Sequence, residues 1–227
     1  MKILFTKTID PALLSKELGE DIFVDCIEVI RTTAVKIALF DLKDYSLIFT
    51  SAKGVNAFFK NGFVPNEDFT VKNYNRIYCV GEKTKKELRK NGFGTYKVLR
   101  NAAELSKFII THCQHEKFLH FCGNIALDVL DHNLPLQNIS YRKIIVYNTE
   151  EINPVINEKY HAAVFFSPSG VRSFANRNSF EDMKLVSIGE TTARELRKQT
   201  SQPVLVSEGN TLTSVLKLIR KEILNKD

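Results

Sequence analysis

Short apolar runs recur along the chain: Ile3–Thr6, Ser46–Thr50, Arg76–Val80, Tyr96–Leu99, Phe118–Phe121, Ala163–Phe166, Leu185–Ile188 and Val204–Val206. Runs this short and this apolar predict strands buried on both faces, as in parallel sheets. Amphipathic stretches separate them. Pro11–Leu18 opens after Asp10, with proline in the first helical turn. Val55–Lys60 stops at Asn61-Gly62, and Thr84–Lys90 stops at Asn91-Gly92. Leu212–Leu224, opened by Thr211, predicts a closing helix. Strands alternating with helices predict parallel sheets with right-handed crossovers, an α/β fold.

The pattern is written twice. Leu47–Phe58 aligns with Ala163–Phe174, and Phe, Ser, Gly, Val and Phe recur in register. Cys79–Arg89 aligns with Ser187–Arg197, with Gly, Glu, Thr, Glu, Leu and Arg identical. Weaker echoes pair Val29–Thr32 with Val146–Thr149, and Ile3–Phe5 with Leu119–Phe121. Four matches in one order predict a tandem duplication, five strands to a copy, in two doubly wound, flavodoxin-like sheets.

Composition changes this picture little. With 227 residues, 44% hydrophobic and 26% charged, two ordinary domains are expected. A net charge of +6 and a pI near 9.0 favour anionic partners. The densest basic run, Lys83, Lys85, Lys86, Arg89 and Lys90, reads as a solvated helix face, and nucleic acid is not expected. Cys26, Cys79, Cys113 and Cys122 lack CxxC spacing and mostly sit in apolar runs, as reduced thiols do. The group His112, Cys113, His115, His120 and Cys122 matches no common zinc pattern, so no metal is expected. No run approaches 18 apolar residues, so a soluble, cytoplasmic protein without a membrane partner is expected.

Candidate chemistry lies in the repeated strand-end loops, where ligands bind in open parallel sheets. Ser51–Gly54 and Ser167–Gly170 follow one pattern, Gly81–Thr84 and Gly189–Thr192 another. Both put small residues and hydroxyls at helix N-termini, where backbone N–H groups and the helix dipole attract an anion. Ordinary helix capping accounts for the same residues. Glu82 and Glu190 oppose a carboxylate ligand unless they point aside. No nucleotide-binding glycine motif, nucleophile elbow or Ser/His/Asp set is present. A binding cleft is easier to read here than a catalytic device, and a non-catalytic binder of a small polyanion stays open.

The segments FTSAKGVNAFF, YCVGEKTKKEL, FCGN, IVYNTE, FFSPSGVRSF, IGETTARELR and EGNTLTSVLKLI resemble the uroporphyrinogen-III synthase family in order and spacing. The resemblance implies a cofactor-free, monomeric lyase of haem biosynthesis that closes hydroxymethylbilane, a linear polycarboxylate, with inversion of ring D. It also implies a possible passing contact with the upstream bilane synthase. Tyr147 matches the tyrosine credited with aiding departure of the substrate hydroxyl. Ser51, Lys53, Gly81, Thr84, Asn124, Ser167, Ser169, Gly189, Thr191 and Thr192 match substrate-binding positions. Cys122, Lys53 and Glu82 depart from commoner family residues. The family's topology further implies two interleaved domains, 1–32 with 149–227 and 33–148, joined by a two-stranded hinge that opens and closes.

Overall fold

Elements form where the apolar runs place them, and the computed structural model describes residues 1–66 and 74–225. The first half runs β1 (Lys2–Phe5), α1 (Pro11–Leu18), β2 (Phe23–Cys26), β3 (Ile30–Ala34), β4 (Tyr45–Phe49), α2 (Ala52–Lys60), β5 (Ile77–Val80), α3 (Glu82–Lys90), β6 (Lys97–Leu99) and α4 (Ala102–His112). The second runs β7 (Lys117–Gly123), α5 (Val129–Leu136), β8 (Tyr141–Glu151), β9 (Ala162–Phe165), α6 (Pro168–Ala175), β10 (Lys184–Ser187), α7 (Glu190–Gln199), β11 (Val204–Val206) and α8 (Leu212–Glu222).

The chain divides into two compact units, Met1–Arg31 with Glu150–Asp227, and Thr32–Thr149. Unit one holds a parallel sheet in the order β2-β1-β9-β10-β11. Counted within the unit this is 2-1-3-4-5, the flavodoxin order, with its switch point between β1 and β9. Unit two holds the order β3-β8-β7-β4-β5-β6, parallel from β8 to β6. Counting β7 and β8 ahead of β4 gives 2-1-3-4-5 again, so each unit takes strands from both copies of the repeat. The switch point of unit two lies between β7 and β4.

The repeated phenylalanines explain why both copies fold alike. Phe49 and Phe58 meet edge to face with ring centres 5.2 Å apart and planes at 84°. Phe165 and Phe174, their counterparts, meet at 5.3 Å and 84°. Each pair pins the helix after the strand to its own sheet, a contact worth about 1 kcal/mol beyond area burial. Core side chains cover both faces of each sheet, which is why the central strands read as unbroken apolar runs.

Three strands and two helices lie outside the expected set. β2 carries Phe23 largely exposed at a sheet edge, and β3 is exposed along most of its length. β8 alternates buried and half-exposed positions from Lys143 to Tyr147, so its signal there has period two. α4 is capped by Asn101, whose Oδ1 accepts the Glu104 N–H at 2.9 Å. α5 contains Pro135, which hides its helical period.

Candidate functional site

In each unit the candidate residues stand at the carboxyl ends of the strands, where the next helix begins. Ser51 and Ser167 adopt one extended conformation, φ −154° and −161°. Each serine Oγ accepts the N–H three residues on, from Gly54 at 3.0 Å and from Gly170 at 3.1 Å. These are N-caps in the full sense, so the capping reading accounts for part of the pattern. Ser167 Oγ also lies 3.2 Å from Ser169 Oγ, and Ser169 itself is buried.

Gly81 and Gly189 open α3 and α7 and supply no capping side chain. Gly81 needs to be glycine because its φ is +79°. Gly189 is buried, packed by the Asn210 side chain. Thr84 and Thr192 are each 3% exposed. Four residues further on stand Leu88 and Leu196, also buried, so both threonines lie on the inner helix face. Thr191 is exposed, one position closer to the helix start. Helical periodicity thus turns one threonine of the pair inward and one outward. The basic face of α3 is held by its own acids: Lys85 pairs with Glu82 at 3.7 Å and Lys90 with Glu87 at 3.3 Å.

Unit two joins three of these elements around Tyr147. The phenol hydroxyl lies 3.0 Å from Ser51 Oγ, a contact between residues 96 apart in sequence. A register irregularity at Cys122/Gly123 sets Gly123 opposite Tyr147. A Cβ on Gly123 would stand 2.5 Å from the tyrosine ring, so only glycine leaves room for it. Asn124 clasps the same strand: its Oδ1 accepts Thr149 N–H at 2.8 Å and its Nδ2 donates to Thr149 O at 3.2 Å. Its amide is occupied in holding β8. Lys53 is exposed and its Nζ donates to Thr32 Oγ1 at 2.7 Å. Sequence reading missed both the Ser51–Tyr147 contact and Gly123; the Cys122-Gly123-Asn124 run was the available signal.

Burial raises the Tyr147 pKa above the ordinary tyrosine value, partly offset by the Ser51 hydrogen bond. The phenol therefore stays protonated at neutral pH. Since Gly54 N–H already donates to Ser51 Oγ, the serine proton is free to go to the phenol oxygen. That leaves the phenol proton for a ligand. Burial also pushes the Cys122 thiol up to about 12 and Cys79 up to about 11, which makes both poor nucleophiles. Among the described residues no group of three or more His, Cys, Asp or Glu is placed to hold a metal. Among the described residues no helix is long and apolar enough to cross a membrane. A cavity of about 680 Å³ in unit one, lined by Met1, His161, Met183 and Pro203 among others, lies at the amino ends of the strands, away from these loops.

Comparison with known proteins gives the family. The family model described as Uroporphyrinogen-III synthase HemD matches residues 12–217. The crystal structure of uroporphyrinogen-III synthetase from Helicobacter pylori 26695 is similar at a TM-score of 0.67 and 19% identity, over 97% of this chain and 98% of that one. A mutant uroporphyrinogen III synthase from the extremely thermophilic bacterium Thermus thermophilus is similar at 0.68 and 14% identity, covering 100% of both chains. The wild-type Thermus protein in a second crystal form gives 0.52 at 14% identity, over 98% of this chain and 99% of that one. These structures share the fold; no curated protein matches. With a family model spanning most of its length, this chain belongs to the uroporphyrinogen-III synthase family.

Proposed function

We propose that the chain is a cyclising hydro-lyase: it closes hydroxymethylbilane to uroporphyrinogen III, with inversion of ring D and release of water. Members of the family are enzymes of haem biosynthesis acting on that bilane. The observation that carries the reading is the Tyr147 phenol held 3.0 Å from Ser51 Oγ at the switch point of a parallel sheet.

The substrate's terminal carbon bears a hydroxyl that leaves as water, forming an azafulvene cation. Tyr147 hydrogen-bonds that hydroxyl and passes it a proton as the C–O bond breaks, while Ser51 supports the phenol oxygen. Ring D then attacks through its substituted carbon, and the spiro intermediate fragments and recloses in the inverted sense. Final closure releases a carbon-bound proton, which restores the phenol. Because the free bilane closes without inversion, the enzyme's task is mainly orientation and exclusion of water.

The acetate and propionate groups go to the helix N-termini, with contacts from the Gly81 backbone, Thr191, Ser167 and Lys53, while Gly189, covered by Asn210, shapes the start of α7. Thr84, Thr192 and Ser169 shape those helix starts from inside, and Asn124 keeps β8 in place. No cofactor is required by this scheme. A cytoplasmic monomer receiving the bilane from the synthase that makes it is the expected setting.

The test supplies freshly made hydroxymethylbilane and separates the uroporphyrinogen isomers after oxidation. The expected product is isomer III. Isomer I alone at the spontaneous rate overturns the proposal, and tight binding without turnover favours a non-catalytic binder.

A further inference from the structure

One residue before Ser51 begins a polar chain that the proposed reaction does not use. His120, in the middle of β7, is 1% exposed and has both ring nitrogens engaged. Its Nε2 meets Thr50 Oγ1 at 2.9 Å, and its Nδ1 meets the Tyr141 hydroxyl at 2.7 Å. The Asp131 carboxylate on α5 acts on the Tyr141 hydroxyl. Lys143 Nζ completes the chain, 2.5 Å from Asp131 and 3.1 Å from Asp128.

Counting protons gives this chain one direction. Asp131, ionised beside Lys143, can only accept, so the single Tyr141 proton goes to it. The Tyr141 oxygen must then accept from His120, which puts the imidazole proton on Nδ1. Burial keeps the ring neutral, lowering its pKa to about 4. Nε2 is therefore an acceptor, and the Thr50 hydroxyl donates to it.

The duplication supplies an internal control. The counterparts of His120 and Thr50 in the other unit are Leu4 and Phe166, so an apolar solution to the same strand positions exists in this molecule. Polar groups buried in the unit that carries the Ser51–Tyr147 pair cost desolvation and give back a fixed geometry.

We infer that His120 and Tyr141 are positioning residues for the proposed reaction: through Thr50 they fix the turn between β4 and α2, and so hold Ser51 against Tyr147. The inference rests on the reading of Tyr147 as the acid.

The full chain is assayed for isomer III formation as Tyr141→Phe, Thr50→Val and Thr50→Ser, with Tyr78→Phe as the control. Tyr78 is fully buried and its hydroxyl bonds to Glu116 and Cys113 at the amino ends of the strands. Tyr141→Phe and Thr50→Val are expected to lower kcat about tenfold with KM within about twofold, as a misplaced catalytic group does. Thr50→Ser, which keeps the hydroxyl, restores turnover, and Tyr78→Phe loses stability but not kcat. A ¹⁵N spectrum of the wild-type imidazole is expected to show the Nδ1–H tautomer. Undiminished kcat in both Tyr141→Phe and Thr50→Val overturns the inference, as does an Nε2–H tautomer. A wild-type chain that makes only isomer I removes the proposed function and this inference together; an active wild type with unimpaired variants removes this one alone.

Discussion

Tyr147 owes its place to a neighbour without a side chain. Gly123 opens the space the ring occupies, and Ser51 fixes the hydroxyl that fills it. Removing the hydroxyl tests the chemistry: Tyr147→Phe is expected to lower kcat by about 10²-fold, the usual scale for a lost general acid. Unchanged turnover in that variant takes Tyr147 out of the mechanism. Adding one methyl tests the geometry instead. Gly123→Ala pushes the ring aside and is expected to lower kcat about tenfold while KM moves less. None of this is legible in sequence. The stretch between Ser51 and Tyr147, 96 positions apart, carries no mark of their contact, and Tyr147 stands out only through the resemblance of IVYNTE to family members.

Among elements, the helix starts divide by cap. Ser51 and Ser167 cap their own helices with their side chains, whereas α3 and α7 begin after glycines. Ser167→Ala is expected to lower unfolding free energy by about 1 kcal/mol in chemical denaturation. The threonine pair separates binding from packing. Thr191→Ala is expected to raise KM with stability nearly unchanged; Thr192→Ala is expected to lose about 1 kcal/mol of stability with little change in KM. The reverse assignment overturns the reading of the α7 start as an anion site. Strands buried on both faces were legible because nothing interrupts their apolar runs. β2 and β3 were not, since exposed strands carry no such run, and β8 alternates instead. The inward turn of Thr84 and Thr192 was readable in principle from Leu88 and Leu196 four residues on.

At the scale of the molecule, burial of His120 ties stability to acidity. The folded chain holds the imidazole neutral down to about pH 4, while the unfolded chain protonates it below about 6.5. The unfolded state therefore binds more protons between those values, and stability falls as the pH drops through that window. The loss is about 3 kcal/mol, fully felt near pH 4. Thermal melts of the wild type and His120→Asn from pH 7 to pH 4 check this. The variant is expected to show the shallower acid slope, and equal slopes contradict the assignment. The two copies were legible at this scale because the loop motifs and the Phe–Phe pairs repeat; the route of the chain was not, because a repeat does not say which strands pair.

That route has a consequence for biogenesis. The Thr6 hydroxyl donates to the carbonyl of Val164, 158 residues away, so β1 leaves the ribosome long before β9, its second sheet partner, exists. Residues 32–149 form a continuous stretch and can collapse as soon as they emerge. At roughly 5–20 residues per second, the pair of β1 and β2 waits on the order of ten seconds with the β1 edge that meets β9 unpaired. Their brevity, four residues each, and the exposed charges around them limit what else they can pair with meanwhile.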